Sequence, residues 1–188
     1  MGRKSVKVVV AGGFGTGKTT FVGSVSEIVP LTTEEVLTQV SVGVDDLSGV
    51  PDKTTTTVAL DFGRITINDE IVLYMFGTPG QDRFWFMWDE LTFGAIGAIV
   101  LVDTRRLDTS FAAIDYFERR DLPFIAAVNT FFGERPYSED EIRGALQLKQ
   151  AVPLVWCDAR DRQSSKHALS RLIQHAMEKL SVEARSAV

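Results

Sequence analysis

The sequence predicts an α/β fold, a mostly parallel sheet with helices on both faces. Three observations carry this. Strand-like and helix-like segments alternate from start to finish, as strand–helix crossovers require. One hairpin signal, Asn68-Asp69, interrupts the alternation and adds a single antiparallel strand. The most apolar run, Gly94 to Val102, has the length of a buried strand and is far too short to span a membrane.

Taken in order, Val6–Ala11 is a β-branched strand ending in glycines, and Lys18–Ile28 reads as a helix directly behind them. A polar, weakly patterned stretch runs from Pro30 to about Lys53. Thr55–Ile67 and Glu70–Phe76 read as the hairpin strands. A glycine-rich break at Gly77–Gly80 and an aromatic segment precede the strand Ala95–Val102. Asp108–Arg120 is helical, Pro123–Asn129 a strand, and Ser138–Leu148 a helix opened by Ser138 and Glu141 in capping-box spacing. Val152–Cys157 is a strand and Ser164–Leu180 a closing amphipathic helix. The expectation is one domain over residues 1–188, built on six strands of which one is antiparallel. Ligands of such sheets bind at the carboxyl ends of the strands. The informative loops should therefore follow Ala11, Phe76, Asn129 and Cys157.

Composition narrows the function classes. A hydrophobic share of 45% is ample for a core. The net charge of −5, with a pI near 5.1, argues against a nucleic-acid partner. A single cysteine, Cys157, excludes an intramolecular disulfide framework and fits a reducing cytoplasm. Val6 stands where a myristoylation signal needs Ser or Thr, and the C-terminus has no cysteine to prenylate. The expected location is the cytoplasm, with no direct membrane anchor and any membrane visit made through a partner. His167 and His175, eight residues apart on the last helix, suggest no metal or catalytic role.

Gly12-Gly13-Phe14-Gly15-Thr16-Gly17-Lys18-Thr19 satisfies G-x-x-x-x-G-K-[ST], with a strand before it and a helix after it. Glycines let the backbone curl so that successive N–H groups point at phosphate oxygens. Lys18 supplies charge to the β- and γ-phosphates, and the Thr19 hydroxyl is a Mg²⁺ ligand. The helix dipole adds attraction for anions. Thr20, next along the helix, belongs to the same binding set. This is a phosphate-binding loop for a nucleoside triphosphate.

A second cluster, Gly77-Thr78-Pro79-Gly80-Gln81, follows a strand end. With it the chain resembles the Ras-like small GTPases. Nearest in pattern are the bacterial forms related to MglA, especially the CvnD (conservon) group. The matching phrases are Gly-Gly-Phe-Gly-x-Gly-Lys-Thr-Thr, Lys-Thr-Thr-Thr-Thr-Val, Asp-Phe-Gly-Arg, Phe-Gly-Thr-Pro-Gly-Gln and Val-Asp-Thr-Arg-Arg, spread from Val6 to about Met177. The resemblance implies a GTP/GDP switch that uses Mg²⁺ and is found with a roadblock-type partner. It places the Gly80 backbone N–H at the γ-phosphate and Gln81 at the attacking water. It selects Thr57, with its neighbours Thr54–Thr56 as alternatives in register, as the switch hydroxyl that completes the Mg²⁺ shell when the γ-phosphate is present.

Base recognition departs from that pattern. Relatives read guanine with Asn-Lys-x-Asp; here Asn129 is in place, but Phe132 stands where the Asp belongs. A phenyl ring can stack on a purine, yet it cannot accept its N–H groups. Glu134 and Asp158 are alternative carboxylates. Cys157-Asp158-Ala159-Arg160 resembles the loop whose Ala backbone N–H meets guanine O6.

Other departures follow. Gly77 replaces the Asp that holds Mg²⁺ through water, so the metal should be bound more loosely, and Phe14 adds bulk beside the γ-phosphate; both imply slow unaided hydrolysis. Arg64 and Arg83 are candidates for a cis arginine, with surface roles favoured for both. Phe84-Trp85-Phe86-Met87-Trp88 cannot all face inward from a helix, so part of it should be exposed and suited to a partner. Two rivals remain: a P-loop kinase with an arginine lid drawn from Arg105, Arg106, Arg160 and Arg162, and a non-hydrolysing nucleotide-binding scaffold.

Overall fold

A computed structural model describes residues 3–38, 55–80 and 86–186. Its elements are β1 (Lys4–Ala11), α1 (Lys18–Val25), β2 (Leu31–Thr38), β3 (Thr55–Thr66), β4 (Ile71–Gly77), α2 (Trp88–Thr92), β5 (Ala95–Val102), α3 (Asp108–Arg119), β6 (Phe124–Asn129), α4 (Glu139–Ala145), β7 (Leu154–Cys157) and α5 (Arg162–Ser186). They form a seven-stranded sheet in the order β2-β3-β4-β1-β5-β6-β7.

The predicted plan holds. β1 pairs in parallel with β4 and β5, and β5, β6 and β7 continue in parallel. β3 alone runs against them, antiparallel to β4. The turn between those two strands is the expected one: Asn68 Oδ1 accepts from the backbone N–H groups of Glu70 and Ile71 at 2.9 and 2.8 Å. The sheet also carries a strand beyond those read from the sequence. β2, inside the stretch that looked unpatterned, extends the β3 edge with Leu31 opposite Phe62 and Thr38 opposite Thr55. An edge strand needs no continuous apolar run, so Leu-Thr-Thr-Glu-Glu-Val-Leu-Thr escaped the periodicity signal.

Alternation along β1 assigns the two faces. Val8 and Val10 join Phe21, Val22, Leu101, Leu169 and Leu172 in one buried cluster, under α1 and α5. Val9 and Ala11 join Val100, Ile114, Phe117 and Ile142 in the other, with Trp88, under α2, α3 and α4. At roughly 1.5–3 kcal/mol per buried aliphatic or phenyl side chain, these layers hold the strand ends that carry the loops. α1 stops at Val25, short of the predicted Ile28, because Ser26 is extended and its Oγ binds the Ile28 and Arg64 backbones instead. The Ser138–Glu141 capping box is formed and opens α4.

Candidate nucleotide-binding site

Residues 12–19 turn out of β1 and into α1 at the carboxyl edge of the sheet. Gly12, Gly15 and Gly17 take φ values of 140°, 75° and 101°, conformations that side chains with a Cβ resist. Space is as tight as conformation. A Cβ on Gly12 would lie 2.6 Å from the Leu101 carbonyl oxygen, and one on Gly13 would meet Thr109 at 2.5 Å. Thr16 is fully buried and its Oγ1 donates to the Gly13 carbonyl at 3.0 Å. The curl that the motif demands is thus locked from inside and from α3.

Lys18 is 9% exposed, and its Nζ donates to the carbonyls of Gly12 at 2.9 Å and Gly13 at 2.7 Å. Burial lowers its pKa to about 8, an effect partly offset by the Asp61 carboxylate. A buried cation over a curled glycine backbone is an anion cradle. The loop after β4 closes over it. A Cβ on Gly80 would fall 2.7 Å from Lys18 Nζ and 2.9 Å from Phe14 Cα, so glycine is required there by contact. Thr20 and Phe14 are exposed, the latter by 67%.

The loops after β6 and β7, where the sequence reading expects the base, meet beside the cradle. Asn129 is 6% exposed and braces both: its Nδ2 donates to the Thr16 carbonyl at 2.9 Å, and its Oδ1 accepts from the Ala159 N–H at 3.2 Å. Phe132 is 81% exposed at φ 58°, with the Arg160 guanidinium 4.8 Å from its ring centre. Asp158 accepts from Arg160 Nε at 3.0 Å and Nη2 at 2.8 Å. That pairing holds the Asp158 carboxyl below the usual carboxylate range.

A family profile described as "Conserved hypothetical ATP binding protein" matches residues 10–179. The chain belongs to that family. Within reach of the same sequence is an uncharacterized protein of Methanocaldococcus jannaschii, 31% identical over 131 residues, covering 69% of this chain and 72% of its own length. In structure the chain is similar to the G domain of FeoB from Methanococcus jannaschii, with a TM-score of 0.59 at 14% identity, covering 93% of this chain and 99% of that one. The G domain of the T. maritima FeoB iron transporter gives 0.58 at 18% identity, covering 93% and 98%. At such identities the likeness concerns the fold. Family and fold together support nucleotide binding by a phosphate-cradling domain.

Within this family member, the predicted residues Gly12 to Thr19, Gly80, Asn129, Ala159 and Arg160 gather along one edge of the sheet. Gln81, Thr54, Arg83, Phe84 and Trp85 lie outside the described residues, as does the side chain of Thr57, whose backbone is in β3 opposite Val36. Of the aromatic run, Trp88 is 2% exposed and Phe86 65%.

Two residues beside the cradle have contacts that the sequence reading did not assign, although Arg106 was named there as a candidate lid arginine. Arg106 reaches the cradle: its Nη2 donates to the Phe14 carbonyl at 2.9 Å. The fully buried Asp103 carboxylate orients it, lying 3.5 Å from Arg106 and 2.8 Å from Arg105. Asp61 is the second, its Oδ2 accepting from Thr19 Oγ1 at 2.7 Å. Both signals were in the quoted phrases Val-Asp-Thr-Arg-Arg and Asp-Phe-Gly-Arg, but only the fold shows that they meet the cradle. Among the described residues no cluster of three or more His, Cys, Asp or Glu is placed to hold a metal. The oxygens of Thr19 and Asp61 nonetheless suit Mg²⁺, which takes one or two protein oxygens and completes its shell with phosphate and water.

Proposed function

We propose that this protein is a nucleoside-triphosphate-driven switch, with GTP and GDP as its nucleotides, Mg²⁺ as its metal and slow intrinsic hydrolysis. The observation that carries the reading is Gly80 packed against Lys18 and Phe14. A loop that touches the cradle where a γ-phosphate would sit gains or loses contacts when that phosphate is cleaved. In this reading Lys18 neutralises the phosphates, Thr19 and Thr57 ligate Mg²⁺, and Gln81 orients water. Gly12 to Thr20 and Gly80 line the phosphates, while Asn129, Phe132, Asp158, Ala159 and Arg160 line the base.

The kinase rival loses support because its arginines are committed. Arg105 and Arg106 are tied to Asp103, Arg160 to Asp158, and Arg162 Nη1 donates to the Ser24 carbonyl at 3.2 Å. The remaining parts of the proposal follow the small-GTPase resemblance: kinship with the CvnD and MglA group, one domain over residues 1–188, a roadblock-type partner, and a cytoplasmic location. Among the described residues no helix is long and apolar enough to cross a membrane.

A second reading takes ATP as the nucleotide. It is favoured by Phe132 in place of a carboxylate, by the commitment of Asp158 to Arg160, and by the family's description. Calorimetric titration of nucleotide-free protein with GTP, GDP and ATP, each with Mg²⁺, decides between them. A guanine preference of about 100-fold, roughly 2.7 kcal/mol, supports the first reading. Equal or tighter ATP binding selects the second.

A further inference from the structure

Another cavity lies at the opposite edge of the sheet from the cradle, at the amino ends of β6 and β7. Its volume is about 520 Å³, a size suited to a small molecule. Phe117, Leu122, Phe124 and Val152 give it apolar walls, and Val182 of α5 closes one side. Nucleotides and other ligands of this sheet class bind at the carboxyl edge. The cavity is therefore separate from the candidate nucleotide site.

Charge around its mouth is unbalanced. Both lysines of the rim are committed: Lys149 pairs with Glu118 at 3.0 Å and Lys179 with Asp121 at 2.6 Å. Glu178, exposed on α5, has no ion-pair partner among the described residues. Burial lowers the pKa of neighbouring His175, which is therefore neutral at pH 7 and supplies no cation. Glu118 has capacity left as well, since its Oε1 is shielded from solvent and accepts no hydrogen bond among the described residues. A buried acceptor without a donor is unfavourable. The rim thus offers surplus negative charge and an unused acceptor, with no spare cation.

We propose that this cavity binds a small apolar molecule bearing one amine. The hydrophobic body packs against Phe117, Leu122 and Val152, and the ammonium group faces Glu178 and Glu118. Burial of apolar surface supplies the affinity, and charge sets the selectivity. An anionic ligand of the same shape meets net repulsion, because the two lysines that could receive it are already neutralised. The inference is independent of the nucleotide reading, since none of these residues lines the cradle.

The test uses tryptamine, an indole with an ammonium group, and indolepropionate, the same ring with a carboxylate. Methyl NMR of the full chain follows Leu122, Val152 and Val182, with Val22 under α1 as the control. Tryptamine is expected to shift the cavity methyls and to bind about tenfold tighter than indolepropionate. Glu178→Gln, at an exposed position, is expected to reduce that preference about threefold. Ala151→Trp, which puts an indole at the cavity wall, is expected to abolish the shifts with melting temperature and nucleotide affinity nearly unchanged. Equal or tighter binding of indolepropionate overturns the proposal. So do shifts confined to methyls outside the cavity, or an unaltered preference in Glu178→Gln. Silence of the cavity methyls toward both probes overturns it too, as expected if the groove instead receives a protein side chain.

Discussion

The two ends of the candidate site are built differently. The phosphate end is one contiguous loop whose shape is fixed by glycine backbone geometry and whose charge is buried in Lys18. Arg106 and Asn129 brace it from neighbouring strand ends. The base end is a meeting of two loops, with Phe132 81% exposed and the Asp158–Arg160 pair at the surface. Backbone N–H groups do the work at the first end, and few substitutions leave them in place. At the second the proposed reading relies on side chains, of which exposed Phe132 can change with little effect on the fold. Phosphate recognition is therefore rigid in this architecture, and base recognition is open to revision.

The largest expected effect tests the rigid end. Lys18→Ala should weaken GTP and ATP alike by roughly 10- to 150-fold, since charge-assisted hydrogen bonds contribute about 1.5–3 kcal/mol. The ratio between the two bases should not move. Competition titration checks both numbers, and a change in the ratio would break the separation between the ends.

Asn129→Ala comes next because Asn129 bonds to both ends, to the Thr16 carbonyl and the Ala159 N–H. Its loss frees the Thr16 carbonyl and the Ala159 N–H, buried groups whose orphaning costs ~1–3 kcal/mol. The expected outcome is a fall in thermal stability together with about tenfold weaker binding of every nucleotide. Weakening confined to one base would make Asn129 a base reader rather than a brace.

This asymmetry also governs what the sequence made legible. The cradle was readable because eight adjacent residues carry it, and the central strands because apolar runs declare themselves. Asp61 and Arg106 were not readable as site residues, since their roles depend on cross-strand register and on where a loop lands. Nor was β2, whose polar residues pair through the backbone at an edge. At the base end the sequence showed what was missing, the carboxylate at position 132. That one of the substitutes, Asp158, is held by Arg160 needed the fold.

Phe132→Asp probes the revisable end. At 81% exposure the phenyl ring contributes little core packing, and an aspartate tolerates φ 58° better than a bulky residue does. The substitution should raise the GTP-to-ATP affinity ratio by about tenfold with melting temperature nearly unchanged. An unaltered ratio would mean that the Phe132 position does not face the base.

The smallest effect concerns Cys157, which lies beneath the base loop, opposite Asn129 in the β6–β7 ladder, with its carbonyl accepting from the Thr130 N–H at 2.8 Å. Burial pushes its thiol up to about 11, from an ordinary value of 9.0. At pH 8 roughly 0.1% is then thiolate, against about a tenth in the unfolded chain, so native protein should react with a thiol reagent on the order of 100-fold more slowly. The sign for stability follows: folding favours the neutral thiol, so its contribution is intact below pH 9 and lost as the pH rises toward 11. Because Cys157 ends β7 directly before the Asp158–Arg160 loop, its modification rate reports opening at that end. A rate faster than global unfolding allows would show that the base end opens while the phosphate end stays closed. A rate equal to global unfolding would show that Asn129 couples the two into one cooperative unit.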